Sequence, residues 1–266
     1  MSETNIPHPP RVIITINDKS CGKTLLQQLI GDVCLRSGHT IEFLQSDPQR
    51  YLEPYGPAKS VPLATTSEML DDAAADVERH EQLLLAVKAL PEKPHHIVAY
   101  DTGASTSERI MNVMNIIRFD DRVRTACTRI LVMIPVTGRE DIVEAAADAV
   151  TRVRTALPGA EIMIVVSQRD GDTSRLDKKH ALWRVVSQAD RCLHLPKVSQ
   201  DMLIRMRESR RPLHELADPE GPVSTEMLAR ELNLTEARTE LMRATAAALV
   251  NAMDGAATDL SFPLGA

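Results

Sequence analysis

Ile13-Ile14-Thr15-Ile16-Asn17-Asp18-Lys19-Ser20-Cys21-Gly22-Lys23-Thr24 is the stretch that decides the fold. A β-branched run stops abruptly before Gly-Lys-Thr, and Leu25-Leu26-Gln27-Gln28-Leu29-Ile30 follows with helical character. Strand, short loop and helix in that order are the parts of a phosphate-binding loop. There, backbone N–H groups and the helix N-terminus hold phosphate oxygens, the lysine reaches the outer phosphates, and the threonine hydroxyl meets Mg²⁺. Ser20, Cys21, Gly22, Lys23 and Thr24 are therefore the phosphate-binding candidates. The pattern G-x-x-x-x-G-K-[ST] is met only at its end. Asn17 stands at the first glycine position, and Lys19, Ser20 and Cys21 fill a loop in which glycines ease close backbone approach.

Outward from the loop, apolar positions 25, 26, 29, 30, 33 and 34 form one helical face. Ser37-Gly38-His39 ends the helix, and residues 40–45 form a second strand, closing a β-α-β unit. Residues 48–63, with four prolines, are expected as a loop, and 67–90 as one long helix stopped by Pro91 and Pro94. The next strand, 96–101, ends on Asp101, and residues 105–117 are helical. Residues 129–135 are a nearly continuous apolar run, as a strand covered on both faces requires. A helix over 140–156, a strand over 161–166, a short helix over 181–189 and a strand over 191–195 follow. From residue 200 onward the chain is helical, with breaks at Pro212, Pro219 and Pro222. This alternation predicts an α/β fold: a doubly wound, mostly parallel sheet with helices on both faces and a helical C-terminus. The expected organisation is a disordered tail over 1–10, one domain over 11–255 with its helical part at about 198–255, and a flexible tail over 256–266.

Composition narrows the class. A chain of 266 residues, 43% hydrophobic and 26% charged, buries a substantial core, and with 3% aromatics that core is aliphatic. No apolar run approaches the ~20 residues that span a bilayer, and residues 1–10 lack a signal-peptide core. Cys21, Cys34, Cys127 and Cys192 show no C-x-x-C spacing, so reduced thiols in a cytoplasmic protein without a zinc site are expected. A net charge of −6 opposes a wholly basic nucleic-acid binder and leaves room only for a local patch.

Two carboxylates complete the candidate site. Asp47 follows the second strand and Asp101 ends the third. A carboxylate after an apolar strand, several elements past such a loop, holds Mg²⁺ through its waters opposite the threonine hydroxyl. Thr24, Asp47 and Asp101 are therefore the metal candidates. Taken singly, each carboxylate is most often a helix cap or a turn residue; their combination with Gly-Lys-Thr carries the nucleotide reading.

The chain resembles the ParA/MinD group of deviant P-loop ATPases, over roughly residues 11–200. Gly22-Lys23-Thr24 through Arg36-Ser37-Gly38-His39 to Asp47-Pro48-Gln49, the strand 96–101 with Thr102-Gly103-Ala104, and Val165-Val166-Ser167-Gln168-Arg169 carry the likeness. It implies a P-loop NTPase-like fold, ATP and Mg²⁺ as cofactors, and a nucleotide-dependent homodimer. It further implies a partner protein of a plasmid-partition or conjugative-transfer system. In residue terms it places a signature lysine at Lys19, catalytic roles at Lys19, Lys23 and Gln45, and base contacts at Gln168 and Arg169.

The departures have consequences. Counted without a gap, the signature-lysine position is Asp18, so Lys19 serves only if the loop is one residue shorter. Gln45 stands where the group has an aspartate near the attacking water; an amide orients water but is no strong base, so slow hydrolysis or none is expected. Lys197, Arg205, Arg207, Arg210 and Arg211 are the candidates for non-specific DNA contacts, against the simpler alternative of a solvated helix face. Residues 224–238 have the cadence of a helix-turn-helix around Asn233, yet packing helices are the expectation. No basic amphipathic helix ends the chain, so no membrane binding is expected. The leading expectation is a slowly hydrolysing ATP switch. Its rivals are a non-hydrolysing scaffold and a dethiobiotin-synthetase-like ligase, whose substrate would need residues around Gly103-Ala104-Ser105-Thr106.

Overall fold

The computed structural model describes residues 10–47, 50–72 and 74–259. Seven strands form one sheet: β1 (Pro10–Thr15), β2 (Thr40–Gln45), β3 (Ala58–Ser60), β4 (His96–Asp101), β5 (Arg129–Val136), β6 (Glu161–Ser167) and β7 (Arg191–Leu195). They lie in the order β3-β2-β4-β1-β5-β6-β7, and every pairing is parallel. Strand order reverses at β1, which puts its carboxyl end at the crevice where open α/β sheets bind ligands.

Alternation along the strands builds two cores. Val12, Ile14, Val132 and Ile134 face one side, and Ile13, Leu131 and Met133 face the other. The first side is covered by α3 (Ala75–Arg79), α4 (Glu81–Lys88), α5 (Ser107–Ile116), α6 (Phe119–Thr125), α7 (Glu140–Ala156) and α8 (Ala181–Val186), while α2 (Thr66–Asp71) buries no residue. On the second side lie α1 (Lys23–Arg36), α9 (Gln200–Glu208), α10 (Leu213–Ala217), α11 (Thr225–Glu231) and α12 (Glu236–Asp259). The protein thus has the doubly wound, parallel α/β architecture with a helical C-terminal region.

Three local expectations are corrected. The helix foreseen over 67–90 is α2, α3 and α4. Asp72 takes an extended backbone that ends α2, and His80 separates α3 from α4. His80 is fully buried; its Nδ1–H donates to the Asp76 carbonyl (2.7 Å), leaving Nε2 to accept from the Tyr100 hydroxyl (2.9 Å). A contact with β4 sets that break, which no local pattern announces. The loop foreseen over 48–63 contains β3 and a 3-10 turn at Arg50–Leu52. Third, α6 stands where no helix was foreseen.

At the ends, β1 starts at Pro10 and α12 continues to Asp259, inside the segment expected as a tail. The rest of the expected tails, 1–9 and 260–266, lies outside the described residues, as do Pro48 and Gln49. Among the described residues, no helix is long and apolar enough to cross a membrane. Asn233 is the left-handed residue (φ 51°) between α11 and α12, and α12 buries Met242, Ala246, Leu249 and Met253 in the second core. That helix pair is packing structure.

The C-terminal helices are tied to α1. Asp32, fully buried on α1, accepts from the His214 backbone N–H and Nδ1 (both 2.8 Å) and from Arg36 Nε (3.0 Å). Arg36 continues to Asp254 on α12. The bond to Asp32 raises the His214 pKa above its ordinary value, with burial opposing it.

Candidate functional site

The loop between β1 and α1 is held by its own side chains. Asn17 is fully buried; its Nδ2 donates to the Pro135 carbonyl (2.9 Å) and its Oδ1 accepts from the Lys19 N–H (2.9 Å). Its backbone lies outside the positive-φ region, so this position does not need the glycine of the motif; the amide braces the loop against β5 instead. Gly22 is the loop's positive-φ residue (φ 110°), where a side chain would be strained. Cys21 is buried against the carbonyls of Lys19 and Pro135, and burial pushes its thiol up to about 11. It packs as a small apolar residue rather than acting as a nucleophile.

After Gly22, α1 begins with no side-chain cap and no acid in its first turn. Its leading N–H groups therefore stay available to an anion, at the positive end of the helix dipole. Lys23 Nζ is drawn across the loop and donates to the carbonyls of Asn17 (2.7 Å) and Lys19 (3.0 Å). Burial lowers its pKa, opposed by neighbouring carboxylates that include Asp101 and Asp47.

Asp101 is the centre of a hydrogen-bond network. Register pairs Thr15 of β1 with Asp101 of β4, and both point to the face that α1 covers. Thr15 Oγ1 donates to one carboxylate oxygen and Thr24 Oγ1 to the other, each at 3.0 Å. Gln27, one turn along α1, donates to Thr15 Oγ1 and to the Tyr100 carbonyl (both 3.1 Å). Burial raises the Asp101 pKa, while the two hydroxyls and the Lys23 charge act the other way. The threonine and one of the two carboxylates expected to serve Mg²⁺ are thus within hydrogen-bond distance of each other.

A cavity of about 220 Å³ opens over this network, lined by Ser20 to Leu26, Asp47, Asp101 to Ala104, Pro135, Ser167 and Arg169, with Leu195, Gln200, Leu203 and Arg207 on its far side. Sites that enclose a whole drug-sized ligand run to ~300–1,000 Å³, so this cavity is smaller than such a site. Arg169 crosses to the loop, donating to the Ser20 carbonyl (3.1 Å).

Ser20, Cys21, Gly22, Lys23, Thr24, Asp47, Asp101 and Arg169 therefore come together, whereas Lys19, Gln45 and Gln168 are not among the lining residues. Lys19 is exposed and makes no ion pair among the described residues. Asp18 points elsewhere, accepting from the Ser107 N–H and Arg152 (both 2.9 Å). Burial would raise its pKa, but those partners outweigh it and hold it low. Gln45, Asp101's neighbour in the β2–β4 register, is buried, and its Nε2 has no hydrogen-bond partner among the described residues.

The five C-terminal cations separate. Arg205 pairs with Asp201 and Glu208, and Arg211 pairs with Glu231. Lys197 and Arg210 are exposed, while Arg207 belongs to the cavity. Sequence reasoning missed Arg207, Leu203 and Gln200 as cavity residues. Their spacing along α9, together on one helical face behind the Ser199 cap, was the available signal.

No family model matches this chain, nor does any curated protein. Solved structures do match. The MinD cell division protein of Aquifex aeolicus superposes with a TM-score of 0.51 at 12% identity, covering 84% of this chain and 95% of that one. The septum site-determining protein MinD of Pyrococcus horikoshii, complexed with Mg-ADP, superposes with a TM-score of 0.50 at 10% identity, covering 96% of this chain and 98% of that one. At such identities the likeness is one of fold: this chain shares the P-loop NTPase-like architecture of MinD.

Proposed function

We propose that the chain is an ATP-binding switch protein of ParA/MinD type that hydrolyses its nucleotide slowly. One observation carries the reading: the Thr24–Asp101 pair at 3.0 Å beside Lys23, at the uncapped N-terminus of α1 and the carboxyl edge of a parallel sheet. Hydroxyl, carboxylate and ammonium in that arrangement suit Mg²⁺ with a phosphate chain. Asp47, on the same cavity, is the second carboxylate for the metal's waters. The MinD of similar fold from Pyrococcus horikoshii was solved with Mg-ADP, which supports the same ligand class here. Nucleotide binding would favour a homodimer that engages a partner protein, and plasmid partition or conjugative DNA transfer in the cytoplasm is the proposed setting.

The non-hydrolysing scaffold is the second reading, and Gln45 favours it. Its side chain is buried and outside the cavity lining, and an amide is no strong base toward an attacking water. ATP affinity and turnover, with Lys23→Ala as control, test both. Binding lost in the variant, with slow turnover in the wild type, supports the switch. Binding with background turnover supports the scaffold, and no binding at millimolar ATP overturns both.

A further inference from the structure

Three cations line the cavity, and the protein satisfies them unequally. Lys23 has two carbonyl partners, and Arg169 has the Ser20 carbonyl and Asp170. The Arg207 side chain has no hydrogen bond or ion pair among the described residues, and its Nε is buried without a partner there. Its recorded contact is the face of Tyr51, 5.0 Å from guanidinium carbon to ring centroid.

Gln28 of α1 donates to the Tyr51 carbonyl (3.1 Å), which ties the Tyr51 backbone to α1. On the other side, Met202, Leu203 and Met206 bury α9 in the second core. An arginine partly stripped of water and without a carboxylate in contact is costly unless a ligand supplies an anion. Arg169 adds repulsion across the same cavity, against a smaller attraction from the Asp101 carboxylate. A multiply charged anion relieves both, and the planar guanidinium fork matches phosphate oxygens in two-point contact.

We propose that Arg207, with Arg169, is a polyphosphate-binding contact at the cavity rim, by which α9 senses the length of a bound phosphate chain. The identity of that chain as ATP or ADP rests on the nucleotide reading above; the anion chemistry does not.

Calorimetric titrations of the full chain test this, with Mg-ATP, AMP and inorganic tripolyphosphate as probes, for the wild type, Arg207→Ala, Arg207→Lys and Lys23→Ala. Arg207→Ala is expected to weaken ATP about tenfold or more, the scale of charge-assisted hydrogen bonds. AMP affinity should change far less, and Arg207→Lys should recover only part of the loss. Arg207→Lys and Arg207→Gln retain most of the side-chain stem, so the comparison is readable even where the alanine variant does not fold. Arg207 variants that bind ATP like the wild type, while Lys23→Ala loses it, overturn this inference and leave the nucleotide reading standing. Tripolyphosphate bound through Arg207 without ATP binding does the reverse. Binding of neither probe overturns both.

Discussion

The carboxyl ends of β1 and β4 and those of β2 and β6 lie along one edge of the sheet, yet they are finished differently. At β1 and β4, two threonines and a glutamine surround Asp101, and Lys23 is held across the loop by two carbonyls. At β2, Gln45 is buried with an unpartnered amide nitrogen, and at the end of β6 Gln168 stands outside the cavity lining. Preorganised charges hold a ligand at little reorganisation cost, whereas an amide outside the cavity lining supplies no base for an attacking water. The contrast separates an ordered cluster at β1 and β4 from a less ordered one at β2 and β6. On the proposed function, the first is the part that holds phosphate and the second the part that would cleave it.

Variants that attack the ordered end should have the largest effects. Lys23→Ala is expected to weaken Mg-ATP about a hundredfold, measured by calorimetry, since it removes the buried ammonium from the floor of the cavity. An unchanged affinity would break the comparison at its stronger side. Asp101→Ala leaves the hydroxyls of Thr15 and Thr24 without their acceptor, so urea unfolding should show a loss of about 1–3 kcal/mol. ATP binding should also lose its dependence on Mg²⁺ in that variant.

Changes at the other end should be quiet. Gln45→Leu removes a buried amide nitrogen that has no partner, so stability should stay within about 1 kcal/mol of the wild type or rise. ATP turnover should not fall; a clear fall would return Gln45 to the chemistry. Smallest is a pH effect on the support behind α1. The His214 pKa is raised in the folded state by Asp32, so its contribution is full below the unfolded value of ~6.5 and is lost as pH rises through the folded value. The stability advantage of wild type over His214→Gln should therefore shrink from pH 6 toward pH 9. A widening gap would contradict the clamp.

Much of the sheet was legible in the sequence because its strands are continuous apolar runs. Residues 129–135, buried on both faces, announce a covered strand, and Asp101 marks where an adjacent one stops. Thr24 and Asp101 could be anticipated as neighbours because strand ends gather at one edge of a parallel sheet. Other features depend on contacts far apart in the chain. Three exposed residues, Ala58–Ser60, make an edge strand only because β2 lies beside them. His80 divides the helix foreseen over 67–90 through its bond to Tyr100. Arg207 belonged by sequence to a basic cluster, and only the passage of α9 past Tyr51 brings it to the cavity. Asn17 looked like damage to a motif; its bonds to Pro135 and Lys19 make it a brace.

The central claim is that ATP is held and only slowly cleaved. The most direct test mixes the protein with Mg-ATP, recovers the bound nucleotide at intervals and separates ATP from ADP. The account predicts bound nucleotide that remains mostly ATP, with turnover far below the ~10 s⁻¹ of a typical enzyme. Protein that retains no nucleotide, or nucleotide recovered as ADP within seconds, would contradict it.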